Sequence, residues 1–282
     1  GPDSNNIWYD KNSGFVFGHT RLAIIELDAS GNQPMISNSK RYALAFNGEI
    51  YNFRELKKKL YDDDNSIVWT GNSDTEVLLN LLEIYGIEKT LSLINGMFAF
   101  VLWDNLKQNI YMARDRLGEK PLYYSINNKT VIFGSELKTF YNVRDLDLSI
   151  SSSSINNYFK YGYIKSPRTI FNNIFQLEPG HYLKVMTKEN NNYKIKKYWE
   201  LKNENDKFEN INNLKINLYK KLNQTVKSRM YADVSSGCFL SGGYDSSIIS
   251  YFMQKNSTKK IETFTIGQHN EKDESKYARN VS

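Results

Sequence analysis

A loop containing serines and two glycines is the feature that most constrains what this chain can fold into. The loop, residues 241–247, follows a predicted strand at 234–240 and leads into a predicted helix. Such a turn between a strand and a helix N-terminus predicts an anion site, because backbone N–H groups converge there and the helix dipole adds positive potential. Gly242 and Gly243 let the backbone approach a phosphate with no Cβ in the way.

The side chains of this loop differ from those of a Walker A loop. The G-x-x-x-x-G-K-[ST] spacing does not occur there, and no lysine follows the glycines. The hydroxyls of Ser241, Ser246 and Ser247 and the carboxylate of Asp245 take the place of the lysine. An acid beside phosphate is explained if it binds Mg²⁺, which prefers oxygen ligands. An ordinary serine/glycine turn with an N-cap explains the same residues, so the spacing leaves both interpretations open.

Two regions of different character lie on either side of a polar stretch, Glu200–Asn210, which is predicted to be a domain junction. The first region is predicted to be rich in strands with a pair of helices, and the second begins with a long helix from Ile211. Strand 234–240, helix 246–255 and strand 261–266 are predicted to form a parallel β-α-β unit. The strands predicted in the first region are 15–18, 22–26, 41–47, 97–103, 109–114 and 131–133.

Cap residues predict where the two helices of the first region begin and where the second one ends. Asn52 with Glu55, and Ser73 with Glu76, have the spacing of a capping box, in which each side chain bonds the backbone of the other residue. Gly86 lies where a C-cap glycine would end the second helix.

Composition argues against several classes of protein. No apolar run reaches the roughly 18 residues of a membrane span. The formal charge of +6 comes from scattered lysines with no basic stripe, so neither a membrane nor a nucleic-acid partner is expected. The single cysteine suits a reducing compartment such as the cytoplasm, and Cys238 is interpreted as a small core residue. His19, His181 and His269 lack metal-ligand spacing. The charges at 114–116 are either functional or a buried ion pair that braces the fold.

Short motifs occur in order along nearly the whole chain. They lie at 18–25, 31–35, 46–52, 73–76, 95–100, 113–124, 134–138, 161–164, 167–171 and 179–183. Together with the loop at 241–247, these stretches resemble the glutamine-hydrolysing asparagine synthetase family. One short motif can arise by chance, whereas this ordered set is specific.

The resemblance implies a fold for each region. Residues 1–200 are expected to form an α+β glutaminase domain, an αββα sandwich of antiparallel sheets of the N-terminal-nucleophile hydrolase type. Residues 208–282 are expected to be the start of an α/β nucleotide-binding domain with a parallel sheet. The family's nucleophile is a cysteine at the mature N-terminus, whereas this chain opens Gly1-Pro2-Asp3. The chain is therefore expected to be truncated at both ends and inactive by itself. Whether it forms a homodimer is left open by the sequence.

The resemblance also implies a glutamine site. Arg21 is expected to bind the glutamine α-carboxylate, since a guanidinium fits a carboxylate bidentately. Asn47 and Gly48 match the oxyanion hole, which stabilises charge on the attacked carbonyl. Glu49 and Asp74 match acids that bind the glutamine ammonium and amide groups. Two simpler interpretations stay open: Asn47-Gly48 is also a typical turn sequence, and Asp74 also suits a helix N-terminus. The same side of the glutamine site is expected to be lined by the backbone of Leu22, Ala23, Ile24 and Ile25.

In the second domain the resemblance implies sites for ATP and Mg²⁺. The backbones of Leu240 and Ile266 are expected to flank the adenosine, and Asp245 to hold Mg²⁺ against the departing pyrophosphate. The phosphates are expected to lie against Ser241, Gly242, Gly243, Ser246 and Ser247.

The leading functional hypothesis is an enzyme that uses glutamine, aspartate and ATP to make asparagine through an acyl-adenylate, with release of AMP and pyrophosphate. One alternative is a related amidotransferase that acts on another carboxylate, such as a sugar acid in surface-polysaccharide assembly. A second alternative is a non-catalytic binding module that keeps the folds without the nucleophile.

Overall fold

The chain forms two compact units, Gly1–Lys202 and Asn203–Ser282. The structure is a computed structural model that describes residues 1–202, 210–267 and 273–282. Most of the predicted junction falls on residues 203–209, which lie outside the described residues, as does His269. Among the described residues, no helix is long and apolar enough to cross a bilayer.

The strands of the first unit are β1 (Ser4–Asp10), β2 (Phe15–Arg21), β3 (Met35–Ile36), β4 (Tyr42–Ile50), β5 (Gly96–Asp104), β6 (Asn109–Arg114), β7 (Tyr123–Ile126), β8 (Val131–Gly134), β9 (Phe175–Gln176), β10 (His181–Met186) and β11 (Asn192–Lys197). The unit contains a six-stranded antiparallel sheet in the order β11-β10-β6-β5-β4-β3, a two-stranded sheet β1-β2 and a three-stranded sheet β8-β7-β9. Its helices are α1 (Phe53–Asp63), α2 (Asp74–Leu93) and α3 (Ser152–Tyr161).

The main core of this unit lies between the six-stranded sheet and the smaller sheets. Ala99, Val101 and Trp103 of β5 are buried there together with Phe17 of β2 and Tyr124 of β7. Successive side chains of a strand point to opposite faces, so the alternate residues of β5 face the other side, where α2 packs against β4. The unit thus stacks helices on a sheet and that sheet on further strands. The expected α+β fold with antiparallel sheets is confirmed.

One predicted strand of the first region does not form. Residues 22–26 follow β2 as a loop, because their backbone carbonyls are bound by a side chain rather than by a neighbouring strand. Two terminal nitrogens of Arg21 donate to carbonyls of this loop, including Ile25 at 3.3 Å and Asp28 at 2.9 Å. The apolar residues after Arg21 therefore wrap around its guanidinium.

The helix caps were predicted correctly in position and only partly in chemistry. Ser73 caps α2, since its hydroxyl accepts from the Glu76 N–H at 3.1 Å, but the Glu76 carboxylate binds the N–H groups of Thr70 and Gly71 instead of closing the box. Asn52 stands before α1, yet its amide binds residues 93 and 95 rather than the helix. At Gly86 the φ of 73° interrupts α2, which continues as a second helical stretch.

The second unit contains the predicted parallel β-α-β arrangement. Its described elements are α4 (Ile211–Arg229), β12 (Gly237–Phe239), α5 (Tyr244–Asn256), β13 (Glu262–Phe264) and α6 (Ser275–Val281). β12 and β13 pair in parallel, and α5 connects them. Val226, Phe252 and Met253 form its buried cluster, and the half-buried Cys238 packs against it as predicted.

Candidate active site

A cavity of about 880 Å³ opens in the first unit at the ends of β2 and β4. This size is typical of small-molecule sites, which span about 300–1,000 Å³. Ala23 is not among the lining residues, and its N–H donates to the Asp3 carboxylate at 2.7 Å. The other residues predicted for the glutamine site all line the cavity: Arg21, Leu22, Ile24, Ile25, Asn47, Gly48, Glu49 and Asp74.

The pair Asn47-Gly48 lies within β4 and is not a turn. Asn47 is opposite Ala99, and Gly48 is opposite Phe98 on β5. A Cβ at Gly48 would lie 2.1 Å from the Met97 carbonyl oxygen, so only glycine allows the two strands to approach this closely. The turn interpretation of Asn-Gly is therefore wrong, and the pair presents an amide side chain beside a glycine backbone at the cavity.

Two side chains hold the peptide that precedes Asn47. The buried Gln33 accepts the Phe46 N–H at 2.7 Å, and His19 Nε2 lies 3.2 Å from the Phe46 carbonyl oxygen. Burial lowers the pKa of His19, which favours the neutral ring. Neither residue was assigned a role from the sequence, although both lie in motifs that carry the family resemblance. They fix the backbone from which Asn47 projects.

Arg21 is buried at the cavity wall and organises the loop that follows it. Its Nη1 donates to Asp28 O and, at 3.3 Å, to Asn32 Oδ1, and its Nη2 donates to the Ile25 and Glu26 carbonyls. The guanidinium thus holds the loop as well as facing the cavity. Its contact with a glutamine carboxylate stays a prediction.

Two carboxyl groups at the cavity are held away from water. Asp74 is only 5% exposed, and burial raises its pKa to about 6, even though its Oδ2 accepts the Ile50 N–H at 2.9 Å. The negative charge of Glu49 adds to that increase. Burial also raises the pKa of Glu49, while the positive charge of Lys120 opposes the increase. Paired acids with raised pKa values in a cavity are typical of functional sites, where they can bind a cationic group.

A tight turn after β6 brings Lys120 to this cavity. The buried Asp115 accepts backbone N–H groups from Phe98, Leu117, Glu119 and Lys120. The buried Arg114 donates to backbone carbonyls of Gly118, Lys120 and Leu177. These two side chains brace the turn through bonds to backbone groups, and the salt bridges of the described residues include none among residues 114–116.

Residues 241–247 of the second unit comprise a short loop, 241–243, and the first turn of α5. Gly242 has a φ of 83°, which favours glycine, and a Cβ at Gly243 would meet only Ser241 Oγ, at 3.5 Å. The hydroxyls of Ser241 and Ser246 lie 3.0 Å apart and close the loop on itself. Ser247 Oγ is buried and lacks a hydrogen-bond partner among the described residues. An open backbone and an unpaired hydroxyl fit a bound oxyanion.

The other residues predicted for ATP lie beside this loop. The buried Leu240 donates its N–H to Phe264 O at 2.9 Å, and Thr265 Oγ1 donates to Leu240 O at 2.6 Å, so Leu240 lies beside the two residues that precede Ile266. Asp245 is exposed in the first turn of α5. Among the described residues, no group of three or more acids, histidines or cysteines is placed to hold a metal ion.

Known proteins similar to this chain are synthetases and amidotransferases. It is 37% identical over 303 residues to a putative glutamine-hydrolysing asparagine synthetase 2 of Methanocaldococcus jannaschii, covering 100% of this chain and 57% of that protein. It is 34% identical over 272 residues to glutamine-hydrolysing asparagine synthetase 1 of Bacillus subtilis, covering 95% of this chain and 40% of that protein. A solved glutamine phosphoribosylpyrophosphate amidotransferase from B. subtilis has 18% identity and a TM-score of 0.46, covering 90% of this chain and 52% of that one.

The chain thus spans about half the length of the curated relatives it matches. Residues 217–282 match the family model described as asparagine synthase. Residues 1–199, which contain the cavity, match the model described as glutamine amidotransferase domain. The chain belongs to the glutamine amidotransferase domain family, and a region that matches the asparagine synthase model follows that domain.

Proposed function

We propose that this chain is part of a glutamine-hydrolysing asparagine synthetase and that residues 1–200 are its glutaminase domain. The observation that carries the proposal is the cavity itself, which brings Asp74 of α2 together with the consecutive residues Asn47, Gly48 and Glu49 of β4. An amide donor and a close backbone approach suit stabilisation of an oxyanion, and the two acids suit binding of an ammonium group.

In this proposal each group has a distinct role. The Asn47 amide and the Gly48 N–H donate to the oxyanion that forms on the glutamine side-chain carbonyl. Glu49 and Asp74 accept hydrogen bonds from the ammonium and the amide, and Arg21 with the backbone of 22–25 forms the wall that receives the α-carboxylate. The attacking thiol is that of an N-terminal cysteine, which is not among the residues of this sequence.

Residues 208–282 are proposed to begin the domain that activates the acceptor carboxylate with ATP. The loop from Ser241 to Ser247 receives the phosphates, and Leu240 and Ile266 flank the adenosine. Asp245 would hold Mg²⁺, which supplies charge neutralisation of the departing pyrophosphate when bound. The open backbone at Gly243 and the unpaired Ser247 hydroxyl support this assignment.

Aspartate is the proposed acceptor, because both relatives described above are named asparagine synthetases. The proposal places the enzyme in the cytoplasm, where its substrates are available, with no nucleic-acid or membrane partner.

Product analysis tests this function. The protein expressed from its whole reading frame is incubated with glutamine, ATP and Mg²⁺ and with one of a panel of carboxylic acids that includes aspartate and sugar acids. We expect aspartate to be the only acid of the panel that is amidated, with asparagine, glutamate, AMP and pyrophosphate formed in equal amounts. Formation of a sugar-acid amide would instead identify that sugar acid, and not aspartate, as the acceptor. Absence of any amidated product and of any glutamate would support a non-catalytic binding module instead.

A further inference from the structure

We propose that Lys120 is a positioning residue of the glutamine site, which keeps the Glu49 carboxylate ionised so that it can bind the ammonium group of glutamine. The inference rests on the proposed glutaminase function, since it concerns the same cavity. It goes beyond the motif assignments, which gave Lys120 no role.

The backbone of Lys120 is fixed next to the strand that neighbours Glu49. A single oxygen, Asp115 Oδ2, accepts the N–H of Lys120 at 2.9 Å and the N–H of Phe98 at 3.2 Å. Phe98 lies opposite Gly48 in the pairing of β4 with β5, and Glu49 follows directly. One buried carboxylate therefore ties the turn that carries Lys120 to the strand pair that carries Glu49.

The other end of the Lys120 peptide is held as well. Arg114 Nε donates to Lys120 O at 2.7 Å, and the remaining guanidinium nitrogens donate to Gly118 O and Leu177 O, each at 2.7 Å. Gly118 has a φ of 73°, and a Cβ there would lie 3.0 Å from the Arg114 guanidinium carbon. The turn is therefore closely packed, and the Lys120 side chain starts from a fixed point on the cavity wall.

The charges around Glu49 define what Lys120 contributes. Burial raises the pKa of Glu49 and Lys120 lowers it. Asp74 faces it from α2; burial is the main cause of the raised pKa of Asp74, and the negative charge of Glu49 adds to the increase. The remaining titratable or charged groups that line the cavity in this chain are the Gly1 amino group, His19, Arg21, Glu136 and Lys138, of which Glu136 and Lys138 form an ion pair with each other.

A lysine near an ammonium site also repels the substrate, so its benefit depends on pH. Near and below the pKa of Glu49, Lys120 increases the ionised fraction of the carboxylate and thus favours glutamine binding. At higher pH the carboxylate is ionised without help, and the advantage disappears. Removal of the lysine charge should therefore move the acidic limb of the kcat/KM profile for glutamine to higher pH, since that profile reports groups of the free enzyme.

The test compares Lys120→Met, Lys120→Arg and the wild type, all expressed from the whole reading frame, by glutamate release between about pH 5 and pH 9. Lys129→Met is the matched control, because it removes the same charge from an exposed turn between β7 and β8. For Lys120→Met we expect the acidic limb to rise by about one pH unit. At pH values below the acidic limb, the same shift gives a KM for glutamine that is about tenfold higher, while kcat is nearly unchanged.

We expect Lys120→Arg to restore the wild-type profile and Lys129→Met to overlay it. A loss by the same factor at every pH, or a limb that does not move, would overturn the role of Lys120 while leaving the proposed function intact. A wild-type protein that releases no glutamate at any pH would overturn the proposed function, and this inference with it.

Discussion

Replacement of Asp74 by Asn should make the first unit more stable relative to the wild type as the pH rises. The folded pKa of Asp74 is about 6 and its ordinary value is 3.8. Between these values the unfolded chain has lost the proton and the folded chain has kept it, so stability falls as the pH rises through this window. The gap of about two units corresponds to a cost of about 3 kcal/mol above the folded pKa.

Asn cannot ionise, so the variant escapes this cost. Its new amide N–H₂ adds a penalty that does not depend on pH. The difference in unfolding free energy between Asp74→Asn and the wild type should therefore grow in favour of the variant by about 2 kcal/mol between about pH 4.5 and pH 7.

Urea unfolding followed by tryptophan fluorescence at both pH values measures this difference. All four tryptophans of the chain, Trp8, Trp69, Trp103 and Trp199, lie in the first unit, so the signal reports on that unit. Asp104→Asn is the control with the opposite sign. Burial raises the pKa of Asp104, but its bonds to Arg41 at 2.8 and 3.0 Å outweigh this and leave the pKa lowered.

The stability that Asp104 contributes is present above its unfolded pKa and is lost only as the pH falls through the folded one, so Asp104→Asn should be destabilised at both values. For Asp74→Asn, a difference from the wild type that is the same at both pH values would refute the reasoning. So would a difference that turns against the variant as the pH rises.

Four further substitutions test other parts of the structure. Gly48→Ala should destabilise the first unit by at least about 1–3 kcal/mol, because its Cβ would lie 2.1 Å from Met97 O; an unchanged unfolding midpoint would contradict the close strand approach. Gly243→Val should fold yet lose Mg-ATP affinity in calorimetry, and unchanged affinity would count against the phosphate site. Gly242→Val should instead disturb the loop itself, since a Cβ there would lie 2.5 Å from the Tyr277 backbone. Asp245→Asn should lower synthetase kcat more than ATP affinity while glutamate release persists, and equal loss of both activities would argue against separate sites.

Local signals were the part of the fold that the sequence predicted best. The Ser73 cap and the β-α-β order of the second unit depend on neighbours within a few residues or on simple periodicity, and both are confirmed. The strand predicted at 22–26 is wrong, because the Arg21 guanidinium captures the carbonyls that a strand would need. An apolar run alone does not reveal such a side chain.

The candidate site shows the same division. Asn47 and Asp74 were identified through motifs, and the structure brings them to one cavity. The contribution of Lys120 could not be predicted, since it depends on Asp115 binding both Lys120 and Phe98, a contact that exists only once β5 is paired and the turn has folded. The positions of Gln33 and His19 on either side of the Phe46 peptide likewise depend on the tertiary fold.

The most direct test of the central claim is glutamate release by the Asn47→Ala variant of the protein expressed from its whole reading frame. The account predicts that the wild type hydrolyses glutamine and that loss of the Asn47 donor lowers kcat by about 10²–10³-fold in a variant that keeps the wild-type unfolding midpoint. Wild-type turnover in correctly folded Asn47→Ala would contradict a glutaminase site at the end of β4.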